Sequence, residues 1–160
     1  MKGYLANGLF SAADRMYNEY IAATLRVAYP DLNLFVPQEQ GINDKNSYAD
    51  SQMIAVTDAK GLLEADFLVA VLDGVEIDSG VSAEVGIFWT TGKPIIGLYT
   101  DIRQQGRDNE RKIDALIEDA TENQFFYRNL MTVGLIKDVG EIVSDELQLV
   151  DAIQEWVVRQ

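Results

Sequence analysis

The sequence contains no cysteine and no histidine among its 160 residues. Without cysteine, the chain has no disulfide, no thiolate metal site and no thiol nucleophile. Without histidine, it cannot build the imidazole proton relays of many hydrolases or an imidazole zinc site. Any chemistry must therefore use carboxylates, hydroxyls, amides, lysine, arginine or tyrosine.

Basic residues are also scarce, since 13 lysines and arginines stand against 26 aspartates and glutamates, for a formal net charge of −13. This balance argues against nucleic acid as a partner, because phosphate binding needs a positive surface. No apolar run approaches the ~20 residues of a membrane span, and no signal-peptide core follows the N-terminus. We therefore expect a cytoplasmic protein that binds neither nucleic acid nor membranes.

Short apolar runs alternate with helical patterns along the chain. Strands are predicted at residues 3–6, 32–36, 67–72, 94–99 and 141–143. Helices are predicted at residues 11–28, 51–64, 80–91, 112–120 and 124–136, and after a cap at Ser144. The alternation predicts an α/β fold, a flavodoxin-like, doubly wound sheet of about five parallel strands in the order 2-1-3-4-5. No linker or repeat divides the sequence, so we expect one domain over residues 1–160.

The strongest chemical signal follows the third predicted strand, at the edge of the sheet where such folds bind ligands. Residues 72–86 contain four carboxylates, which are Asp73, Glu76, Asp78 and Glu84. Asp78 could simply cap the next helix. Glu84 lies within that helix among small residues, which let another molecule approach closely. If Asp78 lies on the preceding loop, the two carboxylates can converge, and such a pair suits glycosyl chemistry with one of them as nucleophile.

Other ligands fit this segment less well. No glycine-rich phosphate-binding motif is present, and an acidic loop would repel phosphate. Asp73, Asp78 and Asp101 could form a Mg²⁺ site, but no motif that grips a phosphate accompanies them. We therefore expect no metal and no cofactor.

Several segments, taken in order, resemble the nucleoside 2-deoxyribosyltransferase family. They are YLANGLF (4–10), VTD ending at Asp58, DSGVSAEVG (78–86), GKPIIGLYTD (92–101) and NLM (129–131). The third resembles the family's Asp-x5-Glu-hydrophobic-Gly signature, and its start lies 20 residues after Asp58. The resemblance implies a flavodoxin-like fold in homodimers or homohexamers. It also implies transfer of the 2-deoxyribosyl group between nucleobases of 2′-deoxyribonucleosides through a covalent glutamyl intermediate.

The resemblance implies a role for each matching side chain. Glu84 would attack C1′ of the sugar, Tyr4 would orient Glu84 through a hydrogen bond, and Asp58 would protonate or bind the base. Asp78 would hold the deoxyribose hydroxyl. Further substrate contacts would come from Phe10 in the base pocket, from Gln38 and Gln40 at base edges, and from Asn129 and Met131 of a neighbouring subunit.

Two alternatives remain open. The related deoxynucleoside 5′-monophosphate N-glycosidases share the glutamate but use water as the acceptor, and they need cations for the phosphate. Arg103, Arg107 and Arg128 are the candidates for that role. The second alternative is a non-catalytic nucleotide-binding module. Residues 41–50 and 101–110 are candidate lids on composition, and the preference for purine or pyrimidine bases stays open.

Overall fold

Five parallel strands form one sheet in the computed structural model, which describes residues 1–43, 46, 48–104, 108–123, 125 and 127–159. The strands are β1 (Lys2–Ala6), β2 (Asn33–Phe35), β3 (Phe67–Val71), β4 (Ile95–Leu98) and β5 (Glu141–Val143). Their order is β2-β1-β3-β4-β5, and each neighbouring pair is parallel. The order confirms the predicted flavodoxin-like topology, in which β1 and β3 occupy the middle of the sheet.

Six α-helices lie within the described residues. They are α1 (Ala12–Ala28), α2 (Ser51–Glu64), α3 (Ser79–Trp89), α4 (Glu110–Glu118), α5 (Leu130–Val139) and α6 (Glu146–Ile153). Short 3-10 turns at Gly41–Asn43 and Ile102–Gln104 occupy parts of the predicted lids, and a third turn, Pro37–Glu39, precedes the first lid. Asp44, Lys45, Ser47 and residues 105–107, which also belong to those predicted lids, lie outside the described residues. No helix of the described chain combines the length and the apolar character needed to cross a membrane.

Side-chain caps decide where several helices begin, and they correct two predictions. Helix α5 begins at Leu130 rather than near residue 124, because the Asn129 side chain accepts hydrogen bonds from the first free backbone N–H groups. Helix α6 is capped by Asp145, which accepts from the Gln148 N–H at 2.8 Å, so the predicted cap at Ser144 is wrong.

Two apolar cores cover the two faces of the sheet. Strand β3 contributes side chains to both cores, because alternate side chains of a strand point to opposite faces. Phe67, Val69 and Val71 pack with α1 and α6, whereas Leu68 and Ala70 pack with α2, α3 and α5. Fully burying side chains of this size stabilises the fold by roughly 1.5–3 kcal/mol each. The continuous apolar run that predicted a sheet covered on both faces is explained by this arrangement.

The same alternation places one polar side chain inside the second core. Tyr4 in β1 faces α2 and α3, and its relative exposure is 0%. A phenol hydroxyl buried at that depth needs a hydrogen-bond partner, because an unpartnered polar group in an apolar interior is costly. The partner comes from α3.

Candidate active site

The centre of the candidate site is a hydrogen bond between β1 and α3. The Tyr4 hydroxyl donates to Oε1 of Glu84 at 2.5 Å, across 80 residues of sequence. Glu84 is the sixth residue of α3 and is half-buried. The bond satisfies the buried phenol and holds one carboxylate oxygen of Glu84 in a fixed position.

Burial raises the pKa of the Glu84 carboxyl to about 7. The negative charges of Asp58 and Asp78 act in the same direction, whereas the hydrogen bond from Tyr4 stabilises the carboxylate and opposes them. Burial also raises the pKa of the Tyr4 phenol, with the charge of Glu84 as a further cause. Near neutral pH, Tyr4 therefore remains a donor, while Glu84 is divided between its carboxylate and protonated forms.

A second carboxyl group, Asp58, approaches this pair from α2. Its charge acts on both Tyr4 and Glu84. Within the described chain its Oδ1 atom is buried and has no hydrogen-bond partner. Burial raises the pKa of Asp58, which favours the protonated form. A half-buried carboxyl group in this state can deliver a proton to a leaving group without histidine.

Asp78 precedes α3 and both caps the helix and faces the site. Its Oδ1 atom accepts hydrogen bonds from the N–H groups of Gly80 at 2.8 Å and Val81 at 3.2 Å. The side chain is exposed, and its charge contributes to the raised pKa of Glu84. Within the described residues, both capping bonds end on Oδ1, so Oδ2 can still accept a hydrogen bond from a sugar hydroxyl. The structural and the functional interpretation of Asp78 are thus compatible.

Three other predicted site residues line a separate cavity of about 480 Å³ near the carboxyl ends of β1 and β2. Phe10, Gln38 and Gln40 lie in its wall, and Phe10 is 89% exposed. The cavity is bounded by Leu9, Phe10, Arg15, Gln38, Glu39, Gln40, Gly41, Asn43 and Asn46. Tyr4, Asp58, Asp78 and Glu84 do not line this cavity, so the structure places these four residues and the three cavity residues in two separate sets.

The two glutamine amides also stabilise the loop that forms this cavity. The Gln38 amide nitrogen donates to the Arg15 carbonyl at 3.2 Å, and its oxygen accepts from the Asn18 amide at 3.1 Å. The Gln40 amide donates to the Val36 carbonyl at 3.2 Å. To recognise a base, the Gln38 or Gln40 amide would have to form a further hydrogen bond beside these or give one of them up.

Asn129 and Met131 lie at the start of α5, and both are exposed. The Asn129 oxygen accepts from the N–H groups of Met131 at 3.0 Å and Thr132 at 3.1 Å. Within the described part of this chain, neither side chain forms a hydrogen bond with Tyr4, Asp58 or Glu84. Their positions leave both side chains available to another molecule.

Two arginines considered for phosphate binding are engaged within the chain. Arg128 is only 8% exposed and donates to the carbonyls of Gly74 at 2.7 Å and Val75 at 3.1 Å. It also lies over the Tyr99 ring, 4.5 Å from the centroid, and 3.8 Å from an Asp101 oxygen. Arg103 forms an ion pair with the same aspartate.

The aspartates of the alternative Mg²⁺ site are also engaged separately. Asp73 accepts from the Thr100 N–H at 2.8 Å and from its hydroxyl at 2.6 Å, which links the ends of β3 and β4. Asp101 pairs with arginines, which lower its pKa to about 2. No group of three or more potential metal ligands occurs in the described part of the chain.

Two residues that contact the site were not predicted from the sequence. The Phe35 ring stacks on the Tyr4 ring, with centroids 5.0 Å apart and planes 9° from parallel. The Phe35 ring in turn packs against Gly61 in α2. The available signal was Gly61 itself, because a glycine within a helix is unfavourable and needs a packing reason.

The matches to known proteins agree with this fold and its sequence signature. A family model described as nucleoside 2-deoxyribosyltransferase matches residues 4–131. No curated protein sequence matches the chain. A conserved protein of known structure from Enterococcus faecalis V583 is 50% identical, with a TM-score of 0.89 over 97% of this chain and 98% of that one.

Two more distant structures share the fold. A 2-deoxyribosyltransferase from Bacillus psychrosaccharolyticus is 18% identical, with a TM-score of 0.64 over 94% of this chain and 91% of that one. A 2-deoxyribosyltransferase from Leishmania mexicana is 17% identical, with a TM-score of 0.61 over 96% of this chain and 95% of that one. Because the family model covers most of the sequence, the chain belongs to the nucleoside 2-deoxyribosyltransferase family.

Proposed function

We propose that this protein, with residues 1–160 as one domain, transfers the 2-deoxyribosyl group between nucleobases through a covalent intermediate on Glu84. The observation that carries the proposal is the hydrogen bond from Tyr4 to Glu84 beside a second carboxyl group, Asp58. A binding module has no need for an oriented carboxylate with a raised pKa. A glycosyl-transferring enzyme needs one as its nucleophile.

In the first half-reaction, the Glu84 carboxylate attacks C1′ of the donor nucleoside. The bond from C1′ to the base nitrogen breaks, and its electron pair stays with the base, which takes a proton from Asp58. The new bond joins C1′ to a Glu84 oxygen as an ester. Negative charge beside C1′ stabilises the oxocarbenium-like transition state, and Tyr4 holds the carboxylate in place while the bonds exchange.

In the second half-reaction, a nitrogen of the incoming base attacks C1′. The glutamyl ester breaks, Glu84 leaves as a carboxylate, and Asp58 accepts the proton that the new base loses. Splitting one displacement into two steps gives ping-pong kinetics. Asp78 would hold the sugar hydroxyl in both steps, and the wall that contains Phe10, Gln38 and Gln40 would accept the base.

The engaged arginines support an uncharged nucleoside rather than a 5′-monophosphate as the substrate. Arg128 is buried against backbone carbonyls, and Arg103 is paired with Asp101. A phosphate would have to compete with these partners and approach a carboxylate cluster. Arg107, the third candidate, lies outside the described residues.

We also propose a homodimer or homohexamer in which Asn129 and Met131 enter the neighbouring site, with Asn129 near the 5′-hydroxyl. The exposed start of α5 supports this arrangement, because Leu130 and Met131 are 68% and 70% exposed. Apolar side chains on α2 and α3 are exposed as well, among them Val56 at 62% and Ile87 at 40%. Such surfaces are common where subunits meet.

The test is an exchange assay. The protein is incubated with deoxyinosine and adenine, and deoxyadenosine and hypoxanthine are followed by chromatography. Transferase activity predicts deoxyadenosine in step with hypoxanthine. Hypoxanthine without deoxyadenosine would indicate hydrolysis instead, and deoxynucleotides would then be assayed. No turnover of any deoxynucleoside or deoxynucleotide would contradict both enzyme activities and favour the binding module.

A further inference from the structure

Phe35 occupies a position from which it can control the Tyr4 ring. It is the last residue of β2 and lies directly beside Tyr4 in the parallel register of β1 and β2. Neighbours in register point to the same face of a sheet, and here the two rings are stacked 5.0 Å apart at 9°. Any rotation of the Tyr4 ring therefore has to move Phe35 as well.

Gly61 provides the space that Phe35 occupies on α2. A Cβ atom at Gly61 would lie 2.9 Å from the Phe35 ring, closer than packed carbon atoms approach. The positive-φ glycines among the described residues are Gly74 and Gly92, so the backbone at Gly61 does not itself require glycine. Alanine would also be the better helix former there. The reason for glycine at this position is therefore contact with the ring.

The same contact fixes how closely α2 approaches the sheet. Asp58 and Gly61 are three residues apart in α2 and hence on one face of the helix. A larger residue at 61 would push α2 or Phe35 outward, and Asp58 or Tyr4 would move with it. Tyr4 and Asp58, two of the three groups that act on Glu84, thus depend on one stack of a glycine and two rings.

We propose that Phe35, seated against Gly61, is a positioning residue that holds Tyr4 in line with the nucleophile Glu84. The effect of Phe35 on catalysis rests on the proposed function, in which Glu84 is the nucleophile. Phe35 does not touch the reacting atoms in this role. It restricts the ring of Tyr4, so that the hydroxyl stays at hydrogen-bond distance from the Glu84 oxygen.

The pKa of Glu84 distinguishes positioning by Phe35 from a purely structural role. Three described groups act on the Glu84 carboxyl, which are Tyr4 from β1, Asp58 from α2 and Asp78 from the loop before α3. Tyr4 alone lowers its pKa, through the hydrogen bond. Loosening Tyr4 must therefore raise the pKa of Glu84 further. Water entering a damaged site would lower the pKa instead, because hydration favours the carboxylate.

The experiment compares the pH profile of kcat/KM for exchange in the wild type, Phe35→Leu and Gly61→Ala, with Tyr4→Phe as the reference. Tyr4→Phe should move the acid limb up by about one pH unit, the size expected for a hydrogen bond to a charged group. Phe35→Leu keeps most of the apolar volume and should move the limb up by about half as much, with kcat reduced about 3- to 10-fold and KM nearly constant. An unchanged or lower limb in Phe35→Leu would overturn the proposal.

Gly61→Ala tests the other end of the stack. It should resemble Phe35→Leu, whereas adding it to Phe35→Leu should change little further, because the ring that the new Cβ meets is gone. Additive effects would contradict the stack. Gly134→Ala is the matched control, since Gly134 is also within a helix and a Cβ there meets no atom within 4 Å. If Phe35→Leu fails to fold, Gly61→Ala with its control decides the question.

A second measurement separates this inference from the proposed function. Glutamate labelled with ¹³C at the carboxyl carbon reports the pKa of Glu84 by NMR, and Glu84→Gln identifies its signal. Absence of exchange in the wild type would contradict the function, yet the titration would still test the stack. A pKa that rises in Phe35→Leu supports positioning through Tyr4, and a pKa that is unchanged or falls refutes it.

Discussion

Tyr4 and Glu84 are joined by a hydrogen bond of 2.5 Å that connects the middle of the sheet to a helix above it. The Tyr4 side chain is fully buried, so the packing around its ring fixes the position of the hydroxyl donor. Glu84 is therefore oriented by the core of the protein. For the proposed role of Glu84 as nucleophile, this geometry sets the direction of the carboxylate before any substrate arrives, which would lower the entropic cost of attack.

Replacing Glu84 with alanine should abolish exchange while the protein stays folded. Without the carboxylate no glycosyl ester can form, and we expect a loss of about 1,000-fold or more. Exchange would be measured by chromatography and folding by circular dichroism. Glu76→Gln, an exposed carboxylate in the same acidic segment, is the matched control and should keep its activity. Activity retained in Glu84→Ala would refute the assignment of the nucleophile.

Asp58→Asn should lower the rate and move the pH profile in the direction opposite to Tyr4→Phe. The ionised form of Asp58 raises the pKa of Glu84, so an asparagine, which never carries that charge, lowers the pKa and extends activity to lower pH. Loss of the proton donor should cost about 100-fold or more in kcat. The pH dependence of kcat/KM checks both effects. An acid limb that moves upward would show that Asp58 does not act on Glu84 in this way.

The stability of the protein should depend on pH through Glu84. Its pKa is about 7 in the folded chain and 4.5 in the reference state, so the folded chain binds more protons between these values. The free energy of unfolding must then fall as pH rises from about 4.5 to 7, and stay level above that as far as this group is concerned.

Urea denaturation of Glu84→Gln tests this dependence, because glutamine does not ionise. Relative to the wild type, the variant should gain about 1–3 kcal/mol between pH 5 and pH 8. Glu76→Gln should show no such gain. Equal pH dependence in the wild type and Glu84→Gln would mean that the buried carboxylate carries no such cost.

Arg128→Met should destabilise the protein and weaken substrate binding. The guanidinium donates to the Gly74 and Val75 carbonyls, in the loop that leads to Asp78. Methionine keeps apolar volume but leaves those carbonyls without their donor, at a cost of about 2–4 kcal/mol. Thermal unfolding gives the stability, and steady-state kinetics should show a raised KM. Exposed Arg111→Met serves as the comparison and should change neither.

Mixing two inactive variants should restore activity if Asn129 enters the neighbouring site. In a mixed dimer of Glu84→Ala and Asn129→Ala, one site has both mutations and the other has neither. Random reassortment makes about half of the dimers mixed, so about a quarter of the wild-type activity should return. Recovery depends on subunit exchange, which native mass spectrometry can follow. Mixed dimers without activity would place Asn129 in the site of its own chain.

The sheet was predictable because strand signals are strong where both faces are buried. Residues 67–72 form one apolar run, and the strand found there, β3 (Phe67–Val71), is buried throughout. Helix starts were less predictable, since several polar residues near a start can cap it. Asn129 and Asp145 each accept the terminal N–H groups, and the sequence does not distinguish them from neighbours such as Ser144.

The proximity of the candidate site residues was predictable only where a motif fixes the spacing. Asp78 and Glu84 belong to one short segment, and Tyr4 and Asp58 occupy matching positions in the family pattern. Phe35 and Gly61 belong to no motif, and their contact depends on how closely α2 approaches the sheet. The burial of Arg128 likewise depends on tertiary packing, because an arginine in a polar segment looks like an exposed cation in the sequence.

The bond between Tyr4 and Glu84 also has a consequence for how the protein is assayed. The two residues are 80 positions apart, and they meet only when strand and helix have both assembled. In an unfolded or partly assembled chain, Glu84 is an ordinary solvated carboxylate with no special reactivity. Under the proposed mechanism, turnover per mole of protein would count native molecules, and the glycosyl ester formed on Glu84 would titrate the folded fraction of a preparation.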